Sequence, residues 1–293
     1  MKIAIKIILL SIKTLIHSKI NYIKKSSHKK VNMIDIEYIK GIATEVGESL
    51  SSYRGNIEKS DLKFKNDRDI VSIYDEKTEQ FIIKSILKKY PEHNIFGEET
   101  GRTSKKSEYC WVIDPIDGTT SFVHGQPFYS ISIALMKNNE IIFGLIYAPR
   151  LSEMFWAKKG QGAYLNNKKI YVSKRKKLID SVLSTGFACL RAGLKKNNLE
   201  LFVEIAPKLR GIRRFGSAAL DLAYVSCGYL DGFWEQQLQL YDVAAGVLLV
   251  KEAGGEVCDY EGGNNYPKNG IIAGNQNITK ILKTHTLNFY NES

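Results

Sequence analysis

The chain has little of what disulfide, zinc or histidine chemistry needs. Its 293 residues include only four cysteines, Cys110, Cys189, Cys227 and Cys258, set far apart and without a C-x-x-C pair. That spacing argues against a disulfide framework and against structural zinc, and fits reduced thiols in a cytoplasm. Of five histidines only His124 falls inside a motif, where a packed or capping residue explains it. No long apolar run opens the chain: Ile7–Ile12 is too short to span a bilayer, and Lys6 and Lys13 bound it. No small-residue cleavage site is evident, so a secretory signal is unsupported, and the Asn-x-Ser/Thr matches at Asn277 and Asn291 carry no weight. Beyond residue 33 no repeat, linker or low-complexity block divides the chain.

What remains is ordinary for a soluble globular protein: 44% apolar and 25% charged residues, and length enough for one large domain or two modest ones. The formal net charge of +11 is local. Residues 1–32 hold eight lysines and no acid, which leaves the rest of the chain about +3. This segment reads as an extension outside the folded domain, with Met33 as the natural start. A basic amphipathic helix lying on a membrane or on nucleic acid is the alternative. Against nucleic acid, the segment lacks aromatic interleaving and any RNA-binding signature.

Ile36, Ile39, Ala43, Val46 and Leu50 recur at helical spacing and predict a first helix over 34–53. Residues 54–69, polar and lysine-rich, read as a loop and a short strand. Asp75 reads as the N-cap of an amphipathic helix over "EKTEQFIIKSILKKY", stopped by Pro91. "NIFGEE", "YCWVID", "FYSISIALMK" and "EIIFGLIYAP" read as strands, with hairpins at "KNNE" and within "GQGAYLNNKKI". Helices are expected again over 198–209, 217–227, 242–253 and 276–285, separated by strands near 181–185, 231–235 and 255–258. The mixture points to an α+β or layered α/β body with two closely packed halves.

The chemistry concentrates in "WVIDPIDGTTSFVHG", residues 111–125. Asp114 and Asp117 stand at the end of a strand, and Pro115 between them bars regular helix. Two carboxylates this close repel unless a positive charge sits between them, and a hard cation such as Mg²⁺ takes oxygen ligands. Gly118 allows close backbone approach, and Thr119-Thr120 open a segment whose N–H groups suit phosphate. Glu98 in "FGEET" and Asp242 in "LYDVAAG" add two more acids at element ends. Alone, Asp242 reads as a helix cap and Glu98 as a solvated turn; together with the aspartate pair they read as a metal site.

"GEET", "WVIDPIDGTTSFVHG", "RRFGSAALDLAYVSCGYLDGFWE" and "YDVAAGVLLVKEAGGEV" resemble the inositol monophosphatase family of Mg²⁺-dependent phosphatases, over roughly residues 34–286. The resemblance implies a layered αβαβα sandwich shared with fructose-1,6-bisphosphatases, usually a cytoplasmic homodimer. The catalytic domain would span 33–293, with halves at about 33–180 and 181–293. It implies two or three Mg²⁺ ions. Glu98, Asp114 and the carbonyl of Ile116 would hold the first. Asp114, Asp117 and Asp242 would hold the second, and a weaker third would share Glu98 with waters. Glu98 and Thr119 would orient the attacking water, Asp75 would support Thr119, and the Gly118 and Thr119 N–H groups would hold phosphate.

Gly216, Ser217, Ala218 and Glu235 match the positions that contact inositol hydroxyls in the family, which favours inositol 1-phosphate or a related polyol phosphate. Fructose 1,6-bisphosphate, histidinol phosphate and 3′-phosphoadenosine 5′-phosphate keep the same chemistry and remain alternatives. So does a mainly binding role in RNA or transcription complexes. Ser72, Tyr241 and Gln239 depart from the usual pattern, and the last two bear on substrate choice rather than on chemistry.

Overall fold

A computed structural model of the protein describes residues 34–53, 62–66 and 69–291, with the backbone alone at 62–66, 69–72 and 288–291. The expectations for residues 1–32 and for 54–61 lie outside the described residues. The chain divides into residues 1–39 and residues 40–293. The described part of the first is the opening turn of helix α1 (Ile36–Ser52), where the Tyr38 N–H donates to Asp35 Oδ1 at 3.1 Å. The rest of α1 and every later element belong to residues 40–293.

After α1 come strands β1 (Leu62–Asn66) and β2 (Asp69–Ser72), then helix α2 (Ile73–Lys89). Strands β3 (Asn94–Gly97), β4 (Gly101–Arg102) and β5 (Tyr109–Asp117) precede the one-turn helix α3 (Thr119–Val123). Strands β6 (Ser130–Lys137), β7 (Glu140–Ala148), β8 (Glu153–Lys158), β9 (Ala163–Leu165) and β10 (Lys168–Ile170) then run as hairpins. The β6–β7 turn is Asn138-Asn139, both at positive φ of 48° and 66°, the conformation two-residue hairpins require. The chain continues through β11 (Val182–Thr185), α4 (Ala188–Arg191), α5 (Asn198–Ile205), β12 (Gly211–Arg213), α6 (Ala218–Ser226) and β13 (Gly232–Glu235). It ends with α7 (Leu240–Glu252), β14 (Glu256–Cys258), β15 (Ile271–Gly274) and α8 (Gln276–Asn291).

Eight strands form one sheet in the order β10-β9-β8-β7-β6-β5-β3-β4, antiparallel except for the parallel pair β3–β5. Five form a second, β12-β11-β13-β15-β14, with β11 parallel to both β12 and β13. Helices α6 and α7 lie between the sheets. Every residue of α6 is buried, and α7 is buried from Val243 to Val250. A helix buried on every side has no solvent face, so it sits in the middle of a body. Their residues share one core with Val112, Ala134, Ile146 and Phe155 of the first sheet and Val257, Phe233 and Ile271 of the second. The two helices approach closely because Gly246 has no side chain: a Cβ there would meet Leu222 Cβ at 2.5 Å. Helix α2 covers the other face of the first sheet, and α5 and α8 cover the second around Leu183, Trp234, Ile272 and Leu282. The result is the layered αβαβα fold of the α+β class.

Three details differ from the sequence expectation. Helix α2 joins directly onto β2, so Asp75 is the third residue of the helix and buried, not its N-cap. The helix expected over 198–209 stops at Ile205, and a 3₁₀ turn at Ala206–Lys208 takes in Pro207, which has no N–H to continue it. Strands β4, β8, β12 and β15 are unread in the sequence: β4, β12 and β15 are four residues or fewer, too short for an alternation pattern, and the six-residue β8 follows β7 after only a short 3₁₀ turn.

His93, just before β3, is buried between the rings of Tyr90 and Tyr109 at 5.0 and 4.7 Å, and its Nδ1 accepts from Trp111 Nε1 at 3.0 Å. Burial, then the charge of Lys105, lower its pKa. The neutral ring is therefore the stabilising form: its contribution is complete above the unfolded-state pKa of about 6.5 and declines as pH falls through it. Thermal melts between pH 7.5 and 5 should show wild type losing more stability than His93→Phe over that window. Parallel curves would contradict this.

Candidate metal and phosphate site

The site begins with an irregularity in β5. Asp114 faces Ser132 of β6 and Asp117 faces Ser130, so three steps on one strand oppose two on the other. The extra residue is a β-bulge, which bends the strand and re-aims its side chains. Pro115 fits there because a bulged position needs no ladder N–H. The Ile116 N–H turns back to Asp114 Oδ1 at 3.0 Å. Thr119 Oγ1 lies 3.1 Å from both the Ile116 carbonyl and Asp75 Oδ1, so its one proton is engaged and its oxygen stays an acceptor. Gly118 caps α3 at φ 96°, the left-handed region, and a Cβ there would lie 3.0 Å from the Phe128 carbonyl.

Two helices bring the remaining parts. Asp117 Oδ2 accepts from Ser217 Oγ at 2.7 Å and from the Ala219 N–H at 2.6 Å, which ties β5 to the start of α6. Asp242 is the third residue of α7 and closes a capping box, its Oδ2 accepting from the Gln239 N–H at 2.6 Å. One carboxylate oxygen from each of Asp114, Asp117 and Asp242 lies within 4.8 Å of the others. Asp114 is only 2% exposed. Burial raises its pKa well above the usual aspartate value, and the neighbouring charges of Glu98, Asp117, Asp242 and Asp75 raise it further. Burial, then Asp117, does the same to Asp242, while burial pushes Asp117 up to about 6 against its two hydrogen bonds. Clustered oxygen-only donors, Asp114 buried and Asp117 and Asp242 half-buried, fit a hard divalent ion.

Glu98 comes directly after β3, its N–H donating to the Ile113 carbonyl at 3.2 Å. It lines the same cavity but stands outside the three-carboxylate cluster. Its turn is held by Glu79 of α2, buried, which accepts from the Glu99 and Thr100 N–H groups at 3.0 and 2.8 Å.

The cavity, of about 260 Å³, is also lined by Asp117, Gly216, Ser217, Ala218, Glu235 and Asp242. Glu235 ends β13, 5% exposed, and accepts from the Ala188 N–H at 3.1 Å. Burial raises its pKa to about 7 against the pull of that bond and of Arg191 and Arg214. Asp75, Asp114, Ile116, Gly118 and Thr119 do not line the cavity; the last four form the strand end and turn around Asp117, and Asp75 reaches Thr119 from helix α2. His124, exposed at the end of α3, takes no part. Arg191, Arg214, Asp221 and the support by Glu79 have no clear mark in the sequence. Only the doubled arginine before "FGSAAL" offers a signal, and spacing does not bring it to Glu235.

A sequence model of the inositol monophosphatase family matches residues 30–290. An inositol-1-monophosphatase of Mesorhizobium japonicum is 40% identical over 242 residues, 82% of this chain and 91% of that protein. A protein of Pseudomonas aeruginosa named Nus factor SuhB is 39% identical over 248 residues, 83% and 92% of the two chains. The crystal structure of extragenic suppressor protein suhB from Bartonella henselae superimposes with a TM-score of 0.80 at 40% identity, covering 86% of this chain and 97% of that one.

The like charges around Asp114 cost stability when no cation offsets them. In chelator, Asp114→Asn should therefore melt higher than wild type, and Mg²⁺ should raise the melting temperature of wild type by several degrees but not that of the variant. An equal Mg²⁺ response in both would contradict the shared-ligand geometry.

Proposed function

The chain belongs to the inositol monophosphatase family, and on that premise we propose that it is a Mg²⁺-dependent phosphomonoesterase acting on inositol 1-phosphate or a related polyol phosphate. The observation that carries this is the buried Asp114 with oxygens of Asp117 and Asp242 within 4.8 Å, at the edge of a cavity that also holds Glu235. Asp114, Asp117 and Asp242 would hold one ion, Glu98, Asp114 and the Ile116 carbonyl another, and Glu98 with waters a weaker third. Bound Mg²⁺ supplies charge neutralisation at the phosphate and lowers the pKa of water, so no histidine base is needed.

The chain's own residues do the positioning. Glu98 and the Thr119 hydroxyl, fixed by Asp75 and the Ile116 carbonyl, orient the attacking water in line with the ester. The N–H groups of Gly118 and Thr119 hold phosphate oxygens. Gly216, Ser217 and Ala218 form the wall beside the polyol, and Glu235 accepts from its hydroxyls. A cavity of about 260 Å³ suits one polyol ring better than a nucleotide. The working unit on this reading is a cytoplasmic homodimer, each domain spanning 33–293 with halves at about 33–180 and 181–293.

A second reading is suggested by the relative named Nus factor: assembly with transcription complexes, beside or instead of catalysis. The basic segment 1–32, which would supply nucleic-acid or membrane contacts, lies outside the described residues.

Phosphate release from inositol 1-phosphate, histidinol phosphate and 3′-phosphoadenosine 5′-phosphate, with and without Mg²⁺, tests the first reading. Mg²⁺-dependent preference for inositol 1-phosphate is expected. Asp114→Asn and Glu98→Gln should each lower kcat by about a hundredfold or more while the fold persists. No metal-dependent release from any ester would overturn the proposal and leave the second reading.

A further inference from the structure

Glu235 rests on a turn, and the turn is braced by a side chain that does not reach the cavity. The Ala188 N–H donates to Glu235 Oε1 at 3.1 Å, and the carboxylate lies so close over Gly186 that a Cβ there would overlap it. Gly186 and Ala188 both line the cavity. Helix α4, which begins at Ala188, is four residues long and has no side-chain cap, too short to hold its own first turn in place.

Asn198, the first residue of α5, holds it. Its Nδ2 donates to the Gly186 carbonyl at 2.8 Å and to Thr185 Oγ1 at 3.4 Å, and its N–H reaches Cys189 Sγ at 3.4 Å. Thr185 Oγ1 in turn donates to the carbonyl of Trp234, the residue before Glu235, at 2.6 Å. Asn198 Oδ1 accepts from the Tyr260 hydroxyl at 2.9 Å. The Gly186 carbonyl can only accept, so the amide has one orientation, its NH₂ toward the turn and its oxygen toward Tyr260. Tyr260 is itself tied to α8, where Thr286 Oγ1 donates to its carbonyl at 2.9 Å. Asn198 and Tyr260 are both 0% exposed, and neither lines the cavity. Tyr260 packs in the apolar cluster of Leu183, Leu201, Trp234 and Ile272. Apolar side chains would fill this space without desolvating an amide and a hydroxyl. The polar relay therefore serves the turn it bonds.

We propose that Asn198 and Tyr260 are positioning residues for polyol recognition, fixing the Gly186–Ala188 turn and through it the Glu235 carboxylate. This rests on the phosphatase reading above and concerns how the alcohol half of its substrate is held. A pair that served core stability alone would, when broken, affect every substrate alike.

Tyr260→Phe keeps the ring and removes one hydrogen bond, so it tests the relay even if Asn198→Ala fails to fold. Its KM for inositol 1-phosphate should rise about three- to tenfold, the weight of one hydrogen bond, with kcat unchanged. Phenyl phosphate, which offers Glu235 no hydroxyl, should keep wild-type kinetics. In a Glu235→Ala background Tyr260→Phe should add nothing further. Hydrogen exchange reads the relay without turnover: the Ala188 amide should exchange faster in Tyr260→Phe, with the amides of β6 unchanged. An unchanged KM for inositol 1-phosphate, a rise shared by phenyl phosphate, or a rise that persists in Glu235→Ala overturns the proposal, as does an unchanged Ala188 amide. No phosphate release from any ester by wild type, with Ala188 exchange still raised by the variant, would overturn the phosphatase reading and leave the relay to Glu235 standing.

Discussion

Repulsion among carboxylates crowded around the buried Asp114 is the constraint around which this molecule is arranged. Asp114 is nearly inaccessible, and the largest charges acting on it, those of Glu98, Asp117, Asp242 and Asp75, are negative. A fold selected for stability alone has no reason to place Asp114, Asp117 and Asp242 with oxygens within 4.8 Å of one another. Their association makes sense only with a cation, and the oxygen-only donor set narrows that cation to a hard one.

The layers exist in a form that holds this cluster together. A β-bulge turns Asp114 and Asp117 out of the first sheet. The start of α6 grips Asp117, and the first turn of α7 presents Asp242 while capping itself. Because α6 and α7 are buried between the two sheets, the site assembles only when both sheets pack on that helix pair. Glu235, at the end of β13, comes from the second sheet, and Asp114 and Asp117, at the end of β5, come from the first. Stability of the core and geometry of the site are therefore one problem, which explains why a side chain at Gly246, packed against Leu222, would disturb the distance between the helices that carry Ser217 and Asp242.

Much of this was legible in the sequence because its signals are local. Asp114, Pro115 and Asp117 lie within four residues, and the hairpin at Asn138-Asn139 is a two-residue pattern. The layered fold came through the family resemblance rather than through periodicity. What escaped depends on tertiary approach. Asp75 resembled a cap because its polar side chain precedes an amphipathic run; its burial against Thr119, 44 residues away, sets its actual place. Glu79 lies on an ordinary helix face and gains meaning only where the turn after β3 meets it. Arg191 and Arg214 sit in separate segments with no spacing rule to unite them, and strand β15 is four residues of apolar chain that a helix or a loop could equally contain.

The most direct test of the account is anomalous diffraction from crystals of the protein grown with Mn²⁺, an oxygen-seeking substitute for Mg²⁺. The account expects a strong peak about 2.0–2.4 Å from carboxylate oxygens of Asp114, Asp117 and Asp242, absent in Asp114→Asn. No peak among those three carboxylates, at Mn²⁺ concentrations that saturate other oxygen sites, would contradict it.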